Sequence, residues 1–385
     1  MYHLLLAVIY AAFISLGLPD SLLGAAWPQM HQMLQVPVGW AGAVSATVSL
    51  CTVTSSLLSA RLVSRFGTGK VTAASVLMSG LALLGFSVTN NYFLLFVWAV
   101  PYGLGAGGVD AALNNYVALH YSSRHMSWLH CMWGLGASVG PYILGYAMSG
   151  GATWHSGYRI IGLMQMVLFA FLFFSLPIWR GESKQTPGEK TRVLSLKQAM
   201  QIPGAREVFA TFFCYCALEQ TCMLWTSSYL ALYRGLNTQV AAEGASLFFV
   251  GITLGRAISG LLTSRLNDTA LIRMGQSVIA LSLVLMLLPL GTWMCMGAVF
   301  LAGLGCAPIY PCIIHSTPEN FGAENSQGVI GMQMAFAYLG NLLTPPVFGL
   351  LAQNITPGLL PWFLGLLLAA MAVFHQRLLR KVGRA

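Results

Sequence analysis

Three of the ten acidic residues, Asp20, Asp110 and Glu219, sit inside long apolar runs instead of loops. In a membrane segment such a carboxylate costs about 2.5–3.5 kcal/mol on insertion scales, so it usually faces a cavity and works there. Its charged form is disfavoured in a dry site, which lets it take up and release a proton. The competing role is structural, a helix–helix hydrogen bond or a span end close to water. Asp110 follows Gly103-x-Gly105-x-Gly107-Gly108 and precedes Asn114, four residues on. That spacing puts Asp110 and Asn114 on one helix face, able to point into one cavity. Asp20 follows Gly17 and Pro19, which favour a break in its helix. We take all three carboxylates as coupling-ion candidates, Asp110 foremost.

A softer set could recognise a hydroxyl-rich solute, which needs apolar platforms and a few hydrogen-bonding groups. Trp133, Trp225, Asn114, Gln220, Gln333 and Asn341 lie near mid-span, although packing is the commoner role of any single tryptophan. His130 could relay protons or simply bond a neighbour. His315 lies near a span end and reads as structural. Arg256 is nine residues before the basic turn at Arg265, about 13 Å along a helix. It either snorkels to that turn or enters a buried ion pair.

These residues are carried by a chain with 57% apolar and only 8% charged residues. Soluble domains carry roughly 25% charged residues, so water cannot be the main solvent here. Apolar runs fall near 4–27, 39–60, 71–89, 93–117, 126–149 and 159–178, then near 206–233, 240–263, 270–289, 293–316, 326–353 and 358–379. Each is long enough to cross a hydrocarbon core as a helix. The fold expected is all-α, with twelve transmembrane helices in two six-helix bundles, at 1–179 and 206–385. The polar stretch 180–205, with Lys184, Lys190, Arg192 and Lys197, is the linker between them.

Arg61, Arg65, Lys70, Arg124, the linker residues, Arg206, Arg265, Arg273, Arg377, Arg380, Lys381 and Arg384 share one side of this arrangement; Arg159 and Arg234 fall on the other. By the positive-inside rule both termini and the linker are cytoplasmic, in an inner (plasma) membrane. The net charge of +9 is therefore topological and does not point to nucleic acid. The eight cysteines lie in apolar runs without metal-ligand spacing. The first run lacks the basic start and small-residue cleavage site of a signal peptide and is expected to be a retained span.

The halves repeat. Ala60-x3-Ser64-Arg65 answers Gly260-x3-Ser264-Arg265, and Gly103-Leu104-Gly105 answers Gly303-Leu304-Gly305, both at an offset of 200 (265 − 65, 303 − 103). Gly136-x4-Pro141-x3-Gly145 answers Gly340-x4-Pro345-x3-Gly349 at 204 (340 − 136). At the offset of 200, Asp20 corresponds to Gln220, beside Glu219. Parallel repeats of this kind occur in secondary transporters.

With these features the whole chain resembles the major facilitator superfamily. Ser64-Arg65-Phe66-Gly67 occupies the place of that family's loop between spans two and three, with Ser64 where an aspartate is usual and Ala60 where a glycine is. Leu18-Pro19-Asp20-Ser21-Leu22-Leu23-Gly24, Gly108-Val109-Asp110-Ala111-Ala112-Leu113-Asn114 and Leu129-His130-Cys131-Met132-Trp133-Gly134-Leu135-Gly136 resemble its fucose-permease branch. Glu219-Gln220 followed by Trp225 looks like the sodium-linked glucose transporters of that branch. Asn115 stands where the branch commonly has proline, and Trp133 where fucose permease has asparagine.

The resemblance implies proton coupling and sugar binding at Asp20 and Asp110. The function expected is cation-coupled symport, with H+ preferred over Na+, of a neutral sugar-like solute by alternating access. Gly136-x3-Gly140-Pro141 resembles an antiporter signature and keeps open a proton-driven efflux antiporter of a small solute or drug. No cofactor is expected beyond the coupling cation, and the partners expected are solute and lipid, around a monomer. A Walker loop, a His-rich metal motif and a soluble domain are all missing from the sequence, which argues against an enzyme.

Overall fold

The computed structural model describes residues 2–121, 123–181, 198, 200–262, 265–289 and 291–383. Lys184, Lys190, Arg192 and Lys197 of the expected linker, Ser264 of the second basic turn and Arg384 lie outside the described residues. Among the described residues every regular element is helical. Eleven helical segments among the described residues are long and apolar enough to cross a membrane. The twelfth span is α6, Ser123–Ser149, whose His130, Ser138 and Pro141 make it more polar.

The first span is split. α1 (Tyr2–Asp20) and α2 (Leu22–Met33) meet at Ser21, whose hydroxyl donates to the Ala137 carbonyl at 2.9 Å. The break expected from Gly17 and Pro19 thus comes directly after Asp20. Then follow α3 (Ala41–Phe66), α4 (Thr68–Phe86), α5 (Tyr92–His120), α6 and α7 (Trp154–Ser175). The second half holds α8 (Ala205–Ser228), extended by a π-turn at Tyr229–Tyr233, then α9 (Thr238–Leu262) and α10 (Asp268–Leu287). The tenth span, expected to be continuous, breaks into α11 (Thr292–Cys306) and α12 (Ile309–His315). Pro308 sits at the break, lacking an N–H and crowding the preceding turn. A short α13 (Thr317–Phe321) leads to α14 (Ala323–Asn354) and α15 (Leu360–Lys381).

Helix pairing repeats in the two halves. α3 packs on α5 and α1 on α6; correspondingly, α9 packs on α11 and α8 on α14. The glycine repeats are where these pairs touch. Gly103 lies against the Val48 carbonyl and Gly303 against the Phe248 carbonyl, partners that keep the offset of 200 (248 − 48). No side chain fits at either position, so the repeated glycines set how closely the helices approach.

The two bundles meet through α6 with α9, α3 with α14, and α2 with α8. At the end of the molecule away from the termini this contact is tight. Gly24 lies on the Met223 and Leu224 carbonyls, Gly39 on the Gly349 carbonyl, Gly42 on Pro346, and Ser227 donates to the Ala25 carbonyl at 3.1 Å. That end is closed.

Candidate functional site

Between the bundles lies a cavity of about 2040 Å3. Its wide mouth is formed by Val117, Tyr121, Asp268, Arg273, His315 and Glu319, all at the end that carries the termini and the basic loops. The cavity is therefore open toward the basic end and shut at the other. Small-molecule pockets are roughly 300–1,000 Å3, so most of this space is a vestibule. At its closed end a recess of about 280 Å3 continues past Asp20, between α1, α3, α5 and α8.

Helices α1, α5 and α14 each present a narrow stripe to this space. On α1 it is Phe13, Leu16 and Asp20; on α5, Ala106, Asp110 and Val117; on α14, Met334, Ala337, Tyr338 and Asn341. The last set falls at i, i+3, i+4 and i+7, one face of a helix. Asp20, Asp110 and Glu219 all line the cavity, from α1, α5 and α8.

Asp20 has both oxygens engaged. Tyr102 donates its hydroxyl to Oδ1 at 2.8 Å, and Trp133 donates Nε1 to Oδ2 at 2.7 Å. The break after Asp20 puts the carboxylate at the junction of vestibule and recess. Asp110 accepts from Asn114 Nδ2 at 2.8 Å, the bond that the four-residue spacing allows. Glu219 Oε1 accepts from the Tyr215 hydroxyl at 2.9 Å, and the same hydroxyl lies 3.1 Å from the Cys306 carbonyl.

The remaining sequence candidates divide. Trp133, Asn341 and His130 line the cavity, His130 with its ring edge-on to Phe13 at 6.0 Å between centroids. Gln220 lines the recess. Asn114 reaches the site through Asp110. Trp225 and Gln333 do not lie on the cavity wall, against expectation. Trp225 is fully buried under the closed end, donating Nε1 to the Pro345 carbonyl at 3.0 Å. Gln333 is fully buried and donates to Thr317 Oγ1 at 3.1 Å. His315 pairs with Asp268 Oδ2 at 2.7 Å, at the cavity mouth.

Arg256 neither snorkels nor enters an ion pair among the described residues. Its guanidinium lies over the Trp133 ring, 5.4 Å from the centroid, and lines the cavity. Sequence reasoning passed over Tyr102, Tyr215, Tyr310 and Tyr338, which bond the carboxylates or line the walls. Only the i, i+3 pairing of Tyr338 with Asn341 could have signalled one of them.

The sequence pattern of the Major Facilitator Superfamily matches residues 9–293 and 244–383. The chain is 25% identical over 241 residues to the glucose/mannose transporter GlcP of Bacillus subtilis, covering 60% of this chain and 59% of that protein. It is 24% identical over 257 residues to the 4-hydroxybenzoate transporter PcaK of Pseudomonas aeruginosa, covering 60% and 57%. The chain thus spans a little over half the length of these curated relatives. A solved structure of a variant of the nucleoside transporter NupG is similar over 97% of this chain and 98% of that one, with a TM-score of 0.77 and 16% identity. A peptide transporter solved with sulfate gives a TM-score of 0.75 at 14% identity, over 98% and 94% of the two chains. These structures carry the same fold, and the family pattern runs through both halves: the chain belongs to the Major Facilitator Superfamily.

Proposed function

We propose that this protein is a proton-coupled symporter of a sugar-like solute, working by alternating access from an inner membrane with both termini in the cytoplasm. The observation that carries the reading is Asp20, bonded by Trp133 and Tyr102 where the vestibule narrows to a solute-sized recess. A solute there meets an indole, three phenols, the Gln220 and Asn341 amides and two carboxylates, the mixture that hydroxyl-rich ligands need. A distant relative named a glucose/mannose transporter supports the sugar class. The cavity opens on one side only, as one state of an alternating-access cycle requires.

Asp110 is the preferred coupling group. It lines the vestibule and keeps one oxygen free of the Asn114 bond, so a proton can reach it from the mouth. Asp20 is tied to two donors that stabilise its charge and is the better solute ligand. The glycines of the antiporter-like stretch have a packing role: Gly136 lies on the Ile14 carbonyl and Gly140 on the Leu18 carbonyl, binding α6 to α1. They lend the antiporter no particular weight.

The test is Asp110→Asn in reconstituted vesicles, with a panel of labelled hexoses and pentoses. Uphill uptake under a proton gradient should vanish while exchange of labelled for unlabelled solute persists, because exchange needs no return of the empty carrier. Full accumulation by the variant would remove Asp110 from the coupling role.

A further inference from the structure

Arg256 is, among the described residues, the one arginine or lysine around the deep part of the cavity, and the sugar reading gives it nothing to do. It projects from α9, which packs against α6 across the two bundles. Its Nη1 is buried without a hydrogen-bond partner. Among the described residues no carboxylate lies within ion-pairing reach of it. Asp20 and Glu219, which line the same cavity, instead accept from Trp133, Tyr102 and Tyr215. The guanidinium rests on the face of Trp133, whose Nε1 donates to Asp20. One indole therefore has the carboxylate at its edge and the cation on its face.

Arg256 is half-buried on the cavity wall, and Glu219 shares its field across the cavity without bonding it. What lacks a partner is the buried Nη1, a donor that a bound anion would complete. Guanidinium is also the group whose planar fork matches a carboxylate with two parallel hydrogen bonds. Resting on symport through this cavity, we infer that the carried solute is not neutral: it is a sugar acid whose carboxylate is bound by Arg256, beside hydroxyls held at Asp20. The solute's negative charge then offsets the arginine, while protons taken up at the acidic groups balance the charge moved across the membrane. With the basic end open as it is, a neutral hexose would leave Arg256 Nη1 without a charged partner.

The experiment measures binding and transport separately on the purified full chain. In detergent, D-gluconate, D-glucuronate, D-glucose and 4-hydroxybenzoate are titrated against the wild type, Arg256→Gln and Arg256→Lys, following intrinsic tryptophan fluorescence. The expected result is that a sugar acid binds the wild type better than D-glucose. Arg256→Gln should weaken it by at least about thirtyfold, as for a desolvated charge pair that loses one partner. Arg256→Lys should recover part of the loss, since a lysine keeps the charge but not the fork. The inference is overturned if neither sugar acid binds the wild type, or if Arg256→Gln binds one as tightly as the wild type does. Binding of 4-hydroxybenzoate alone, lost in Arg256→Gln, keeps an anion at Arg256 but removes the sugar from it, and so overturns the sugar acid. Proton-driven uptake of D-glucose at equal rates in wild type and Arg256→Gln also overturns it, while leaving symport itself intact.

Discussion

Asp20 is held at both oxygens and Asp110 at one, and that difference separates their expected phenotypes. Asp20→Asn places an amide N–H against the Trp133 or Tyr102 donor, so it should lose solute binding and exchange together, where Asp110→Asn keeps exchange. Trp133→Phe removes the indole donor from Asp20 but keeps an aromatic face. An unmade hydrogen bond to a buried charged group costs about 1–3 kcal/mol. Solute affinity in that variant should fall about tenfold with normal membrane insertion, as read by a binding titration on purified protein. The carboxylates were legible in the sequence because a charge inside an apolar run is costly and is seldom kept without work to do. The tyrosines that bond them were not, because Tyr102 and Tyr215 carry the same apolar bodies as core residues. Trp225 shows the same ambiguity from the other side. A mid-span tryptophan looks alike in sequence whether it lines a cavity or fills a core, and this one fills a core. Trp225→Ala should cost about 3–5 kcal/mol of packing, seen as a lower unfolding temperature and not as a change in solute selectivity alone.

At the scale of elements, the spans themselves followed from hydropathy, since a twenty-residue apolar run has one stable form in lipid. Their interruptions were partly visible. Pro19 marks the break after Asp20, whereas the apolar run around Pro308 carries no signal of the break there. Gln333 lies one residue of helical rotation from the cavity: its neighbour Met334 is on the cavity stripe of α14, and Gln333 turns into the bundle toward Thr317. The far-end closure rests on backbone contacts at Gly24 and Gly39 that leave no room for a side chain. Gly39→Val should therefore disfavour the state with this end shut and populate the opposite access state. Cys131 lines the cavity and reports on it. With the other cysteines replaced, its alkylation from the basic side should slow in Gly39→Val relative to the parent. Unchanged labelling would mean that the closure does not depend on that contact.

Over the whole molecule, the repeat at an offset of 200 became a repeat of contacts, with Val48 and Phe248 in matching roles beneath Gly103 and Gly303. The side on which the cavity opens was not legible, because one sequence must encode both ends of a transport cycle. The asymmetry of basic residues predicts that the open end faces the cytoplasm. A reporter fused after residue 385 should accordingly be active in the cytoplasm and silent outside. The central claim, that an imposed ion gradient drives solute through this cavity, is tested most directly in vesicles loaded with the purified protein. Labelled hexoses, pentoses and sugar acids are offered under an inward proton gradient, an inward sodium gradient, or neither. The account predicts accumulation above equilibrium of at least one solute under the proton gradient, abolished by a protonophore and absent with Asp110→Asn. Levels equal with and without a proton gradient, or solute driven outward by it, would contradict proton-coupled symport.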